Sequence, residues 1–473
     1  MGMRGTAPPV QPGSDTMRGA ILLATGAGLA IVLALPPPPG LSAAGRAALA
    51  VVLVAVVLWS TEALPTGATA VGAIILLALT GAVPDFQMAL GGFARPTVFF
   101  LLGVLALGVA TLRSGLAARA AATLLVTARG RSGQLYGQMV ASFALLALLL
   151  PSASTRGAIM LPVYEHALDL LQAPASGRLR RAVMLGLASL NRLGSNALLT
   201  GGVTPVVAAA LMGGFTWTSW LLFMGVPVYT LLVLGGVAVY LLTRPDREGL
   251  VESDWKVPRE PLHGRERRAL AIAAVVSALW MTDGLHHWDP AIPALLGAVA
   301  VVAPGIGVVT WREVESTLGW ANLLVIAASL SLAQAMASSG AAGWLADWLR
   351  LGASPLAGRP FALAASLIAA CLAFRAILPN ISAYLTLLIP VVMELAPDLG
   401  LNPLVCGMLV TIAGDSVLFF PAQSSSSLIV TERGHLGPGP VAQLAAVMVA
   451  LIPIVLLFVA LPYWAWLGQP LAR

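Results

Sequence analysis

Short polar motifs interrupt four long apolar stretches of the chain, and these motifs hold the residues whose types could do chemistry. They lie at 151–155, at 194–196 and 201–205, at 379–382, and at 414–416 and 421–424. Serine, threonine and asparagine side chains can donate hydrogen bonds to an anion, and carbonyl oxygens freed where a helix stops can bind a cation. Open backbone inside a membrane is tolerated only where it is buried in protein or faces water. We therefore expect the function of the chain to lie at these motifs.

Serine-rich helix starts are the candidate anion-binding elements. The first turn of a helix has free N–H groups and the positive end of the helix dipole, and both favour a bound anion. The candidate residues are Ser152, Ala153, Ser154, Thr204, Pro205, Asn380, Ile381, Ser382, Ser424 and Ser425. We expect half-helices to start after Ser154 and after Ser382, and another to start in the serine run at Ser424. Alternatively these hydroxyls only cap their own helices, and the two roles are compatible.

Backbone and side-chain oxygens near the same motifs could bind a coupling cation, for which sodium is the candidate. The candidate positions are Ser152, Gly194, Ser195, Asn196, Gly201, Asn380, Gly414 and Asp415. Asp415 is an acidic residue inside a predicted break, where it could ligate sodium, carry a proton or neutralise an arginine. No other metal and no organic cofactor is expected, because the clusters that contain histidine lack the spacing of a metal site.

Three arginines stand close to the motifs in sequence: Arg156, Arg192 and Arg375. A charged side chain at the bilayer centre costs roughly 2.5–3.5 kcal/mol even on the mild insertion scale, so each arginine implies a partner or a cavity. Arg156 or Arg192 could face the site and attract the anion, or could stand in for a sodium ion. Alternatively each arginine forms a structural ion pair with an aspartate or extends its charged end to the membrane–water interface.

The composition places most of the chain in lipid. Of 473 residues, 58% are hydrophobic and 10% are charged, whereas soluble domains have about 25% charged residues. The net charge of +6 is too dilute for nucleic-acid binding. The sequence has no Walker loop and no GxSxG or HExxH motif, so neither an ATP-driven pump nor a hydrolase is expected. The expected partners are the lipid bilayer and a small anionic solute.

Runs of apolar residues predict an all-α membrane protein with about eleven transmembrane helices and two re-entrant hairpins. The hairpins are expected near 136–171 and 361–396, and the fifth and tenth helices are expected to be broken. Arginine-rich segments after the fourth span and at 244–268 indicate a cytoplasmic amino terminus and an outside carboxyl terminus in the cell membrane.

The second half of the sequence repeats the order of motifs in the first half. Residues 59–64 are similar to 280–285, residues 92–94 to 319–321, and residues 152–154 to 380–382. An odd number of crossings per copy predicts an inverted repeat whose broken helices meet near mid-membrane, as in secondary transporters. The expected units are a disordered cytoplasmic tail at 1–17, a first repeat at 18–243, a cytoplasmic linker at 244–267 and a second repeat at 268–473.

With these motifs the sequence resembles the divalent anion/sodium symporter family, the dicarboxylate, citrate and sulfate carriers of the INDY type. The segment Trp59-Ser60-Thr61-Glu62-Ala63-Leu64-Pro65 is similar to the W-x-T-E-A-[IL]-P signature of that family. Residues 152–162 and 380–390 align with its two Ser-Asn-Thr hairpin tips, although here the tips read Ser-Ala-Ser and Asn-Ile-Ser.

The resemblance implies that the hairpin tips hold the substrate's carboxylates. It also implies that the tips help to bind sodium together with the unwound fifth and tenth helices. It further implies a homodimer with a scaffold part and a transport part that slides as an elevator. Amphipathic stretches near 114–128 and 341–353 are the expected arms between those parts.

The expected function is a cation-coupled secondary transporter of small anions, of the dicarboxylate, tricarboxylate or sulfate type. The alternatives are a passive anion channel, whose breaks would line a continuous pore, and a sodium-independent anion exchanger. An enzyme within the membrane is not expected, because no pair of nucleophile and base is evident in the sequence.

Overall fold

The computed structural model describes residues 12–126, 132–148, 150, 152–245 and 261–472. Within these residues the chain forms helices and turns, with an isolated bridge between Leu401 and Ala472 and no β-strand. In the first half the helices are α1 Pro12–Ala34, α2 Ala43–Thr61, α3 Thr66–Leu79, α4 Phe86–Ala89, α5 Pro96–Arg113, α6 Leu116–Val126, α7 Ser132–Ala147, α8 Ala153–Leu170, α9 Arg178–Leu190, α10 Leu193–Asn196, α11 Val203–Met212 and α12 Trp217–Thr243. In the second half they are α13 Gly264–Met281, α14 Asp283–His286, α15 Ala291–Val302, α16 Trp311–Thr317, α17 Trp320–Ser338, α18 Ala341–Ala353, α19 Pro360–Ile377, α20 Ile381–Asp398, α21 Pro403–Asp415, α22 Ser425–Arg433, α23 Pro438–Val455 and α24 Leu461–Trp466.

Eight helical segments of the described chain are long and apolar enough to cross a membrane, by length and composition. They are Thr16–Ala34 in α1, helices α2, α5, α12, α17, α19 and α20, and the segment Pro438–Trp466. Shorter apolar helices, namely α3, α11, α15 and α21, accompany them. The prediction of an all-helical membrane protein with many spans is therefore confirmed.

Helices begin inside two of the predicted units, the amino-terminal tail and the linker. Helix α1 begins at Pro12, so residues 12–17 are helical and only 1–11 of the predicted tail lie outside the described residues. Helix α13 begins at Gly264, where the side chain of Glu266 accepts a hydrogen bond from the backbone N–H of His263 at 2.9 Å. Residues 264–267 of the predicted linker are therefore helical, because a capping box favours the start of a helix. Residues 246–260 of the linker lie outside the described residues.

Helices of the first half pack against helices of the second half. Helix α3 packs against α17, and α5 packs against α15. A Cβ atom at Gly103 of α5 would lie 2.5 Å from the backbone of Ala294 in α15, so only glycine permits this approach. Small residues at such contacts let helix backbones come close in lipid, where packing replaces the hydrophobic effect between helices.

Two helix pairs carry polar motifs, and so do two places where a short connection separates consecutive helices, which we call the interrupted helices. The first helix pair is α7 with α8, and the second helix pair is α19 with α20. The first interruption separates α10 from α11 at 197–202, and the second separates α21 from α22 at 416–424. In the first interruption, a Cβ atom at Gly201 would lie 1.8 Å from the carbonyl oxygen of Ser195, so the chain can fold back on itself only with glycine there.

Candidate functional site

Arg156 joins the tip of the first helix pair to the end of α9. It lies at the start of α8 and is fully buried. Its Nη1 donates to the carbonyl oxygen of Leu150 at 2.8 Å, and its Nη2 donates to the carbonyl oxygen of Asn191 at 3.0 Å. Its Nε donates to Oδ1 of Asn191 at 3.1 Å, and Nδ2 of Asn191 donates to the carbonyl oxygen of Ala153 at 2.8 Å. One guanidinium group thus binds three oxygen atoms at this junction.

Arg375 makes the corresponding connection in the second half, although it lies in the first arm of its helix pair and Arg156 lies in the second arm. It is fully buried in the last turn of α19. Its Nε donates to the carbonyl oxygen of Gly414 at 2.8 Å, at the end of α21. Its Nη1 donates to the carbonyl oxygens of Leu378 at 2.5 Å and Pro379 at 2.6 Å, at the tip. Here too one guanidinium group binds three oxygen atoms, and all three are backbone carbonyl oxygens.

Arg192 and Asp415 join the two interrupted helices. Nη1 of Arg192 lies 3.3 Å from Oδ1 of Asp415, and both side chains are at most one-tenth exposed. Nη2 of Arg192 also donates to the carbonyl oxygen of Val417 at 3.2 Å. The second carboxylate oxygen of Asp415 accepts a hydrogen bond from Nδ2 of Asn196 at 2.7 Å. Asp415 therefore pairs with an arginine, which is one of the three roles considered for it.

These contacts form a continuous path from one tip to the other. It runs through Leu150, Arg156, Asn191, Arg192, Asp415, Gly414, Arg375 and Pro379, with Asn191 bonded to Arg192 and Gly414 to Asp415 along the chain. Arg156, Arg192 and Arg375 contact helix C-terminal ends, whose carbonyl groups carry partial negative charge. Among the described residues of α7–α11 and α19–α22, the buried charges are these three arginines and Asp415, which leaves a formal surplus of two positive charges.

Ser152 and Asn380 cap the helices that follow them. Oγ of Ser152 accepts a hydrogen bond from the backbone N–H of Thr155 at 3.3 Å. Oδ1 of Asn380 accepts one from the backbone N–H of Ala383 at 3.1 Å. Both residues remain partly exposed, so the capping role does not remove them from the surface of the tip.

The helix starts at the tips lie two residues earlier than expected. Helix α8 begins at Ala153 and α20 begins at Ile381, not after Ser154 and Ser382. The physical reason is that a capping side chain takes the N–H group three residues on, so the helix begins directly after the cap. Ser154 is exposed, and Ser382 is buried in its helix.

Glycines of the interrupted helices allow close contact with the helix pairs. A Cβ atom at Gly194 would lie 2.6 Å from the backbone carbonyl of Phe143 in α7. A Cβ atom at Gly414 would lie 2.2 Å from the ring of Tyr384 in α20. Oγ of Ser195 donates to the carbonyl oxygen of Arg192 at 2.7 Å, so this hydroxyl stabilises its own turn.

The remaining candidate residues fall in two places. Thr204 and Pro205 are buried and line a narrow closed gap between the interrupted helices, together with Asn196, Thr411 and Ser416. Ser424 is partly exposed directly before α22. Ser425 begins α22, and its side chain lies outside the described residues.

Two residues with contacts in the polar core, Asn191 and Gln423, are not among the candidates predicted from the sequence. Gln423 donates from Nε2 to the carbonyl oxygen of Arg375 at 3.1 Å and accepts from the backbone N–H of Phe419 at 2.8 Å. The signal that could have found Asn191 is its place beside Arg192 in an otherwise apolar stretch. A buried amide there implies partners, because an unbonded amide in an apolar environment is costly.

A cleft of about 520 Å³ opens at one end of the molecule and is lined by none of the residues predicted for the site. Its walls are the start of α5, the residues before α15, and parts of α11, α17 and α20. Its polar or charged lining residues are Arg95, Thr97, Asp289, Gln334 and Glu394, and Nη2 of Arg95 donates to Oε1 of Gln334 at 3.5 Å. Residues 213–215 directly before α12 and residues 289–290 shortly after α13 line the cleft, so the end of α12 at Thr243 and the start of α13 at Gly264 lie away from it.

A helical chain of many apolar spans, with a polar core at interrupted helices, is a membrane transporter by class. The fold is similar to the crystal structure of the Alcanivorax borkumensis YdaH transporter, with a TM-score of 0.56 and 17% identity, over 98% of this chain and 100% of that one. The family model for the sodium:sulfate symporter transmembrane region matches residues 17–469, and the chain belongs to this family. The resemblance found in the sequence is thereby confirmed.

Several relatives match most of the chain. A membrane protein of Cupriavidus necator is 26% identical over 94% of this chain and 92% of its own length. The sodium-dependent dicarboxylate transporter SdcS of Staphylococcus saprophyticus is 24% identical over 86% and 83%. The L-tartrate/succinate antiporter of Escherichia coli K12 is 25% identical over 92% and 96%. The relatives that are named for a substrate are thus transporters of carboxylates.

Proposed function

We propose that this chain carries small di- or tricarboxylate or sulfate anions across the cell membrane as a secondary transporter with alternating access. The observation that carries the proposal is the path of Arg156, Arg192 and Arg375. Because it connects both tips to both interruptions, these elements can move as one body with the anion between them. The names of the relatives support carboxylates as substrates.

The proposed membrane arrangement follows the element order. Its crossings are α1, α2, α3, α5, α9 with α11, α12, α13, α15, α17, α21 with α22, and α23 with α24. The two helix pairs then enter and leave on the same side, and the two halves are inverted copies. With the arginine-rich linker inside, the amino terminus is cytoplasmic, the carboxyl terminus is outside, and the cleft opens outward.

The moving part is proposed to consist of the two helix pairs and the two interrupted helices. The scaffold would contain α2, α3, α5, α13, α15 and α17, and a second copy of the chain would pair with it as a homodimer. Helices α6 and α18 are the proposed arms, and they contact α13 and α2 respectively. Nε of Arg119 in α6 lies 3.0 Å from Oε1 of Glu266 in α13. This ion pair would fix one arm to the scaffold.

The anion is proposed to bind at the amino-terminal ends of α8, α20, α11 and α22. These ends supply free N–H groups and positive dipole ends, whereas the arginines bind carbonyl groups at the carboxyl-terminal ends of helices. Ser154 supports this placement, because its exposed side chain lies in the first turn of α8. Transport by this carrier would be either coupled to sodium or a sodium-independent exchange of anions. A passive anion channel is the alternative function.

Counterflow in proteoliposomes tests the proposal. Vesicles loaded with unlabelled succinate or sulfate should accumulate the labelled anion transiently above its equilibrium level, because only a carrier with alternating access links the two fluxes. Vesicles made without protein are the control. Uptake that never exceeds equilibrium would indicate a channel, and no uptake of any di- or tricarboxylate or sulfate would contradict the proposed function.

A further inference from the structure

We propose that the start of α12 is held to the scaffold by a contact that opens in every transport cycle, and that Trp217 couples this contact to the first interruption. The contact, which we call the latch, joins Trp217 and Thr218 of α12 to Trp280 and Asp283 at the end of α13. The inference rests on the proposed function and specifies how a bound anion releases the moving part.

The start of α12 must follow the moving part. Only residues 213–216 separate it from the end of α11, and α12 packs against α7, α9 and α10. Nε1 of Trp220 also donates to the carbonyl oxygen of Asn196 at 3.1 Å, at the end of α10. A displacement of the first interrupted helix therefore displaces Trp217 and Thr218 as well.

The same end of α12 is bonded to the scaffold. The backbone N–H of Thr218 donates to Oδ2 of Asp283 at 3.0 Å, and Oγ1 of Thr218 donates to the carbonyl oxygen of Trp280 at 3.2 Å. The ring of Trp217 lies within 7° of parallel to the ring of Trp280, with the centroids 6.3 Å apart. Asp283 is buried, and a carboxylate at the amino-terminal end of a helix is favoured by the helix dipole. These contacts stabilise the present position of α12.

Trp280 is fixed within the scaffold. Its Nε1 donates to the carbonyl oxygen of Pro290 at 3.0 Å, directly before α15, and its ring meets the ring of Phe100 in α5 edge to face at 5.9 Å. Helices α5, α13 and α15 pack against one another, so Trp280 and Asp283 cannot follow α12. The latch must therefore open when the moving part shifts. Phe100, Pro290 and residues 213–215 line the cleft, so open space lies directly beside the latch.

Trp217 connects the latch to the first interruption. Its Nε1 donates to Oγ1 of Thr200 at 3.3 Å, and both side chains are buried. Thr200 lies in the short turn at 199–201, beside the amino-terminal end of α11, where the anion is proposed to bind. One indole group thus contacts the interruption with its N–H and the scaffold with the face of its ring. An anion that reorders this turn changes the hydrogen bond of Trp217 and with it the stack on Trp280, so binding loosens the latch.

Cross-linking tests whether the latch opens during transport. The paired variant Thr218→Cys with Asp283→Cys is treated in proteoliposomes with a short bifunctional methanethiosulfonate, to which the native cysteines are buried. We expect the cross-link to lower counterflow of labelled succinate at least about tenfold, and dithiothreitol to restore it. The control pair, Ser42→Cys with Ser339→Cys, lies within the scaffold, where the Ser42 hydroxyl donates to the Ser339 carbonyl oxygen at 2.9 Å. Its cross-link should leave counterflow unchanged. Unchanged counterflow in the cross-linked latch would overturn the inference.

The rate of cross-linking tests the coupling on purified protein. Saturating succinate should slow cross-linking of the latch pair at least about threefold, because the latch spends less time closed. Adding Trp217→Phe keeps a ring but removes the N–H, so the rate should become the same with and without succinate. Adding Trp464→Phe instead removes an indole hydrogen bond to the carbonyl oxygen of Phe223 and should keep the difference. A rate that ignores succinate without Trp217→Phe, or a full response with it, would overturn the inference.

A second pair and the wild type keep the outcomes distinct. If the first pair does not fold, Thr218→Cys with Thr282→Cys keeps Asp283 and replaces it in both measurements. Where the wild type carries sulfate and not succinate, labelled sulfate is the probe throughout. Normal wild-type counterflow with an unaffected cross-linked latch would overturn the inference alone. No uptake of any di- or tricarboxylate or sulfate by the wild type would contradict the proposed function as well.

Discussion

The ion pair between Arg192 and Asp415 offers a sharp test of the core, because it crosses between the two interrupted helices. The atoms lie 3.3 Å apart, and the side chains are 10% and 4% exposed. At an effective dielectric constant of about 20, the attraction between unit charges at that distance is about 5 kcal/mol. Removing one partner of a buried pair costs about 3–5 kcal/mol, since the other charge stays buried and unpaired. We expect Asp415→Asn and Arg192→Gln each to lower the free energy of unfolding by about that amount.

The assay is a double-mutant cycle on detergent-purified protein, with the free energy of unfolding measured by denaturant titration. The double variant, Arg192→Gln with Asp415→Asn, should be more stable than the sum of the single variants predicts by about 2–3 kcal/mol, because no lone charge remains. Arg433→Gln is the matched control, since its side chain is 57% exposed and such pairs contribute about 0–1 kcal/mol. Additive losses, or an Asp415→Asn variant as stable as the wild type, would refute the reasoning.

Three further predictions concern the tips and the first interruption. Ser154→Ala should reduce succinate uptake strongly without a change in melting temperature, because its exposed hydroxyl lies in the first turn of α8; wild-type uptake would count against the tip as the site. Gly194→Ala should lower the free energy of unfolding by about 1–3 kcal/mol, because the added Cβ would lie 2.6 Å from the backbone of Phe143. Gly137→Ala is the control: its Cβ would meet nothing within 4 Å, so the free energy of unfolding should stay the same or rise in a denaturant titration. Asn191→Leu should lower both stability and uptake, because it removes bonds to Arg156 and Ala153; a variant with normal thermal stability would argue against that role.

Local features of the sequence predicted the helices closely where length, hydrophobicity and capping act together. The amphipathic stretch near 341–353 matches the bounds of α18, and α5 begins at Pro96. A run of apolar residues that ends in glycine or begins at proline contains its own start and stop signals. The tips were misplaced by two residues, because the Ncap assignment depends on one side-chain bond that the residue type alone does not specify.

The sequence also located the polar motifs and predicted an anionic solute. Serine, asparagine and glycine inside apolar stretches indicate interrupted helices. Lipid offers no hydrogen-bond partners to polar groups, so such groups must lie inside the protein or beside water. It could not choose between an arginine that faces the anion, one that replaces a cation and one that pairs with an aspartate. All three choices share the same local sequence.

Tertiary structure alone decided what the arginines contact. Asn191 follows Arg156 by 35 residues, Gly414 follows Arg375 by 39, and Asp415 follows Arg192 by 223. Arg156 and Arg375 lie in opposite arms of their helix pairs, so alignment of the two halves does not match them. A long flexible side chain can reach the same carbonyl oxygens from either arm, and burial then fixes which oxygens it binds. The sequence therefore determined that charges must be buried near the motifs, whereas the packing of distant helices determined the partners of each charge.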